Sequence, residues 1–142
     1  MSHMTADQRT RTLRIIHIAF LASLVMFIMV GEFLARERSE QPELPPVFLP
    51  ALAVIGISNA FAAITFRRKA EVAAEALVRN PEDLSLWQRW QGSNIASFAL
   101  AESIVLFGWI LRFMGAELAI AAVFYAAGFV TMLICTPRRP SL

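Results

Sequence analysis

The sequence is short of charge. Asp, Glu, Lys and Arg make up 17% of its 142 residues, where a soluble domain carries about 25%. The charges are also segregated, so long stretches hold almost none. This excludes a disordered chain, which stays solvated through charge and polarity, and it excludes an ordinary soluble enzyme. Cysteine occurs once, as Cys135, which excludes an internal disulfide and with it a disulfide-stapled secreted module. Histidine occurs twice, with no zinc-spaced His/Glu pair. A phosphate-cradling glycine loop and a nucleophile elbow are also lacking, and Cys135 has no adjacent base. Catalysis therefore has no support: the chain is not expected to be an enzyme, and neither a cofactor nor a metal is expected.

What the chain has instead is apolar surface. Residues of the AVILMFWYC set account for 57% of it, and the mean hydropathy is +0.57. The net charge of +2 and the pI near 9.3 do not indicate nucleic acid, because the basic residues sit beside apolar spans, where they serve orientation. The chain reads as an integral membrane protein whose first partner is the lipid bilayer. Its opening Met1-Ser2-His3-Met4 reads as an added leader, with Met4 as the expected native start.

About 20 apolar residues cross a bilayer core. Four stretches reach that length, at 13–35, 47–66, 94–113 and 118–135. None shows the period-two alternation of a membrane barrel strand, so all four are expected to be helices. The first is too long and too uniformly apolar for a cleaved signal peptide. Arg36 to Pro46 is a short polar turn in which Pro42, Pro45 and Pro46 end any helix, and Gly115-Ala116-Glu117 is a tight hairpin. The connection 67–93 is long enough for structure of its own. Lys69 to Arg79 continues the second helix beyond the membrane. Asn80-Pro81-Glu82-Asp83 then reads as a cap, a first-turn proline and two first-turn acids opening a new helix. That helix carries Trp87 and Trp90, suited to the membrane interface. The expected fold is a single all-α membrane domain of four transmembrane helices in two hairpins.

Direction follows from the basic residues. Arg9, Arg11, Arg14, Arg67, Arg68, Lys69, Arg79, Arg89, Arg138 and Arg139 fall on one side, ten of the thirteen, against Arg36, Arg38 and Arg112 on the other. Both termini and the 67–93 connection are therefore expected on the cytoplasmic side of the cell (inner) membrane. Residues 17–36 slid onto 94–113 align Ile18 with Ile95, Ala22 with Ala99 and Gly31 with Gly108, a weak internal repeat consistent with duplication of a hairpin.

An ionisable group at mid-membrane costs at least ~2.5 kcal/mol even on insertion scales. Glu102 is the one acid of eleven at mid-span, eight residues after Asn94 and ten before Arg112. Desolvation there penalises the ionised carboxylate and favours the protonated acid. On the antiparallel second span Asn59 lies seven residues before Phe66, so it shares the depth of Glu102, about 10–12 Å in. Asn59, Ser58 and Ser103 are thus the expected hydrogen-bonding partners of Glu102. The acid has two uses, ion binding or permanently protonated interhelical glue. Lesser site candidates are His17, near the end of the first span, and Glu32, with Arg36 as its (i, i+4) neighbour. Arg112 and Trp109 read as boundary anchors. Small residues recur at packing intervals: Ala53, Gly56, Ala60 and Ala63 on the second span, Gly92, Ala96, Ala99 and Ser103 on the third, Ala119, Ala122 and Ala126 on the fourth. Such ridges let helices approach closely, within one chain or between copies.

The stretch Ala99-Leu100-Ala101-Glu102-Ser103-Ile104-Val105-Leu106-Phe107-Gly108 resembles the carboxylate helix of the rotor-ring proteolipids, the c subunits of F- and V-type ATPases. Upstream, Arg79-Asn80-Pro81-Glu82 resembles that family's polar loop, and the resemblance extends over residues 50–113. It implies a non-catalytic proteolipid in which Glu102 binds H⁺ or Na⁺ during ion translocation, and membership of a homo-oligomer or larger membrane complex. Glu102 followed by Ser103 is similar to the sodium-binding members. The chain departs from the family pattern in having only Gly56 in its second span and further spans on both flanks. A non-catalytic accessory subunit, in which Glu102 only packs helices, is the alternative.

Overall fold

The computed structural model describes residues 5–37 and 44–138. Met1–Met4, expected to be an added leader, Arg38 and Pro42 of the first connection, and Arg139 lie outside the described residues. The described chain forms four helices: α1 (Ala6–Glu37), α2 (Phe48–Arg79), α3 (Leu84–Phe113) and α4 (Leu118–Ile134). The first three are long and apolar enough to cross a membrane. The fourth is apolar along its 17 residues, about 25 Å at the helical rise. Helix is the form that satisfies every backbone N–H and C=O within one segment, as hydrocarbon demands. The outward faces agree with that solvent: Ile18 and Met29 of α1, Ile57 and Phe61 of α2 and Val123 of α4 are each more than 60% exposed. Such an apolar girdle belongs in lipid rather than in water. The chain is an all-helical, multi-pass membrane protein.

The helix of α2 runs unbroken from its apolar half through the extension that ends at Arg79. Asn80 then closes α2, its N–H donating to the Ala76 carbonyl at 3.1 Å. The cap of α3 is Asp83 rather than Asn80, three residues later than the sequence suggests. Its carboxylate accepts from the Ser85 N–H at 2.8 Å, the Leu86 N–H at 3.4 Å and the Ser85 hydroxyl at 2.7 Å. These satisfy the orphan donors of the first turn. The same bonds, the Ser85 hydroxyl foremost, hold the Asp83 carboxyl below the usual carboxylate range. Pro81 is left in the turn, where its carbonyl accepts from Trp87 Nε1 at 2.9 Å. At the other end of α3, Gly115 adopts φ 90°. The Ala116 N–H reaches the Leu111 carbonyl at 2.9 Å, and the Gly115 N–H reaches Arg112 at 3.3 Å. This is the Schellman closure that a left-handed glycine permits, and it makes the hairpin tight.

The helix α3 is the axis of the bundle, with α2, α4 and α1 all packed on it. Here the two-hairpin expectation needs correcting, because α1 and α2 do not pack against each other. Instead α1 lies parallel to α3, in contact from Arg9 over the Trp87 ring at one end to Glu32 and Arg112 at the other. The reason is the buried stripe of α1 (Thr10, Leu13, His17, Leu24 and Gly31), whose roughly heptad spacing fits a parallel neighbour.

The small-residue ridges are only partly internal. Gly56 and Ala63 of α2 are buried, but Gly92 and Ala99 of α3 and Ala119, Ala122 and Ala126 of α4 are exposed. The close approach of α3 and α4 uses two other glycines. A Cβ on Gly108 would stand 2.9 Å from the Ala121 carbonyl, and one on Gly128 would stand 2.9 Å from the Ala101 carbonyl. Trp87 and Trp90 are 3% and 1% exposed, so they are core residues rather than lipid-facing anchors.

Candidate functional site: an acid at mid-span

Glu102 sits in the middle of α3, partly buried, on the side that faces α1. Its hydrogen-bond partner is the hydroxyl of Ser23, contributed by α1 to Glu102 Oε1. Ser23 Oγ also bonds the Phe20 carbonyl of its own helix at 2.9 Å. The proton count here is tight. A hydroxyl owns one proton, and both a carbonyl and an ionised carboxylate only accept. Ser23 cannot donate to Phe20 and to a Glu102 carboxylate at the same time.

The neighbouring residue turns the other way. Ser103 Oγ accepts from Asn59 Nδ2 of α2 at 2.7 Å and donates to the Leu100 carbonyl at 2.7 Å. Every proton in that chain is accounted for. Asn59 and Ser103 therefore meet at the depth of Glu102, as their spacing suggests, but they bond each other rather than the acid. Ser58 is exposed and its hydroxyl returns to the Val54 carbonyl at 2.8 Å. The physical cause is helical: positions 102 and 103 are ~100° apart, so they address different neighbours.

His17 and Glu32 are each engaged elsewhere. His17 is buried against Phe98, ring centroids 4.8 Å apart, with Nε2 3.2 Å from the Met132 carbonyl. A carbonyl only accepts, so that nitrogen carries the proton. Glu32 takes its charge partner from α3 rather than from Arg36 on its own helix. Arg112 Nε donates to Glu32 Oε2 at 3.2 Å, and the Tyr125 hydroxyl of α4 donates to Oε1 at 3.5 Å. Arg112 Nη1 also donates to the Ala116 carbonyl at 3.1 Å. The Arg112 and Glu32 side chains are 15% and 17% exposed, so Arg112 is a partly buried tie between helices instead of a boundary marker. Trp109, the other expected anchor, packs its ring on Gly31. Along α1, His17 lies six residues and Glu32 nine residues from Ser23, about 9 and 13 Å. Neither is in reach of Glu102. Among the described residues, no group of three or more His, Cys, Asp or Glu could hold a metal ion.

Ser23 is the residue that sequence reasoning missed. A signal for it exists, because between residues 13 and 35 the polar side chains are only Arg14, His17, Ser23 and Glu32, and Ser23 alone is central.

Residues 49–115, somewhat under half the chain, match the family of the ATP synthase C subunit. The resemblance to the rotor-ring proteolipid thus rests on α2, α3 and the turn between them. The matched segment includes Glu102, Ser103 and Asn59, and leaves out α1 with Ser23. No curated protein and no solved structure matches the chain.

Proposed function

We propose that the protein is an ion-translocating proteolipid in which Glu102 gains and loses a proton at mid-membrane. The observation that carries the reading is the Ser23–Glu102 hydrogen bond at the centre of a helix that resembles the rotor-ring carboxylate helix. Protonation resolves the donor shortage: a neutral Glu102 donates to Ser23 Oγ, and Ser23 keeps its own proton for Phe20. Loss of that proton forces the hydroxyl to choose between two acceptors, so the site couples protonation to the fit of α1 against α3. H⁺ is the ion this accounting favours, and Na⁺ is the second possibility because Ser103 follows the acid. Asn59 and Ser103 act beside the site, fixing α2 on α3 at the same depth. The ten-to-three distribution of basic residues supports a cytoplasmic location, at the cell membrane, for both termini and the α2–α3 turn. Assembly into an oligomer or a larger membrane complex accompanies this reading.

Carbodiimide modification tests it, since that reagent attacks a protonated carboxyl in apolar surroundings. The folded protein in detergent should be labelled at Glu102 at neutral pH, and reconstituted vesicles should show H⁺ flux that Glu102→Gln abolishes. Protection by Na⁺ would assign the ion as sodium. A protein that is never labelled and carries no flux, with Glu102→Gln as stable as the parent and unchanged in oligomeric state, is an accessory subunit in which the acid only joins helices. Native mass spectrometry gives the copy number, many copies being expected for a ring.

A further inference from the structure

A cavity of about 240 Å³ opens at the basic end of the bundle, between the extension of α2, the first half of α3 and the residues that follow α4. Four charged residues line it: Arg67, Arg138, Glu71 and Glu75. Their formal charges cancel. Ala70, Ala74 and Trp90 give it an apolar wall. Glu71 is neutralised on both sides, by Arg67 Nη2 at 3.0 Å and Arg138 Nη1 at 3.8 Å. Two groups are left over. Arg67 Nε is buried with no hydrogen-bond partner among the described residues, and Glu75, also on the lining, is exposed. A buried donor left unpaired costs ~1–3 kcal/mol, so a small rotation that lets the Arg67 guanidinium offer Nε to an acceptor in the cavity is favoured.

We propose that this cavity binds the headgroup of an aminophospholipid, with the phosphate on Arg67 and Arg138 and the primary ammonium on Glu75. The order along α2 matches that of such a lipid. Its apolar half ends at Phe66, Arg67 follows at once, and Glu71 and Glu75 lie successive turns farther out. Acyl chain, phosphate and ammonium meet apolar helix, guanidinium and carboxylate in the same sequence. The balanced lining disfavours an anionic lipid, which would leave Glu75 facing negative charge. A choline headgroup has no N–H to donate, so it cannot hydrogen-bond the carboxylate. The site is separate from Glu102 and stands whether or not the acid carries an ion.

The test is native mass spectrometry of the full chain in detergent, with phosphatidylethanolamine, phosphatidylcholine and phosphatidylglycerol added in turn. Phosphatidylethanolamine should be retained about tenfold better than either of the others, one charge-assisted hydrogen bond being worth that factor. Arg67→Gln should weaken its retention about tenfold, and Glu75→Gln, an exposed change that leaves the fold intact, should erase the preference over the other two lipids. Equal retention of the three lipids, a preference for phosphatidylglycerol, or unchanged binding in both variants overturns the proposal. Displacement of the bound lipid by O-phosphoethanolamine at equal concentration overturns the lipid as source, because the headgroup alone would then be the ligand.

Discussion

Two polar clasps hold α3 at the same depth, one turned to α2 and one to α1, and they differ by a single proton. On the α2 side the Asn59 amide donates to Ser103, which donates to Leu100. On the α1 side Ser23 bonds Glu102 and Phe20. The first chain is complete at any pH. The second is one donor short whenever Glu102 is ionised, which is what separates two otherwise similar pieces of geometry. The helices they hold differ as well. The short turn from Asn80 to Asp83 tethers α2 to α3, whereas α1 has no direct connection to α3 and keeps its seat through side chains. The segment that matches the rotor-ring family contains the whole of the neutral clasp and half of the acidic one.

The sharpest way to break this comparison is to move the acid. Glu102→Gln keeps the hydrogen bond to Ser23 but cannot titrate, and should abolish both carbodiimide labelling and H⁺ flux. Asn59→Ala should leave both in place. Adding Asn59→Asp to Glu102→Gln puts a carboxyl into the other clasp at the same depth. Labelling at position 59 without flux is the expected outcome, because that carboxyl meets Ser103 and not Ser23. Recovered flux would mean that depth alone sets the function.

The next largest effect concerns what keeps α1 seated. Arg112→Gln strips Glu32 of its charge partner in a site where both side chains are less than one-fifth exposed. Leaving one ion of a buried pair uncompensated costs ~3 kcal/mol, which should appear as a large drop in thermal midpoint in detergent. Glu32→Gln combined with Arg112→Gln should recover most of it, the non-additivity expected of direct partners. The Arg112→Gln protein should also be labelled faster at Glu102, since a loosened α1 uncovers the acid. A midpoint that falls as far in the double variant as in the single one would show that Arg112 acts through Ala116 rather than through Glu32.

The sequence makes the helices legible because hydrophobic length and helix-ending residues are local properties. The depth of Glu102 is legible too, since the rise per residue is fixed. Which helix each residue addresses is not, because that depends on rotation and on which neighbours pack. Asn59 and Ser58 lie at the right depth for Glu102, yet one residue of helical rotation gives Asn59 to Ser103 and turns Ser58 outward. The small-residue ridges are only partly internal for the same reason. Spacing marks a stripe, but only packing decides that Gly108 and Gly128 meet α4 and α3 while Ala119 and Ala122 stay outside. Arg36 lies one turn from Glu32 along α1, but Arg112 offers a better-desolvated partner from a helix 80 residues away in sequence.

A smaller effect separates the two hydroxyls. Ser23→Ala and Asn59→Ala each remove one hydrogen bond between membrane helices, worth about 0.6 kcal/mol on average. Their thermal midpoints should therefore fall by similar small amounts. Labelling should tell them apart, with the rate and pH profile at Glu102 changed by Ser23→Ala and untouched by Asn59→Ala. Identical labelling in the two variants would mean that Ser23 is glue like its counterpart.

The smallest expected effect concerns a second acid on the same helix, the one that caps α3. The Asp83 carboxyl is held below its usual range in the folded protein by Ser85 and Leu86. A group whose folded value is depressed stabilises above its unfolded value, and that contribution is lost as pH falls through the folded one. Acidification should therefore weaken the start of α3. Asp83→Asn keeps a capping oxygen but removes the charge. The acid-side loss of thermal stability should shrink in this variant. If Asp83→Asn leaves the acid side of the stability curve unchanged, the cap is not its source.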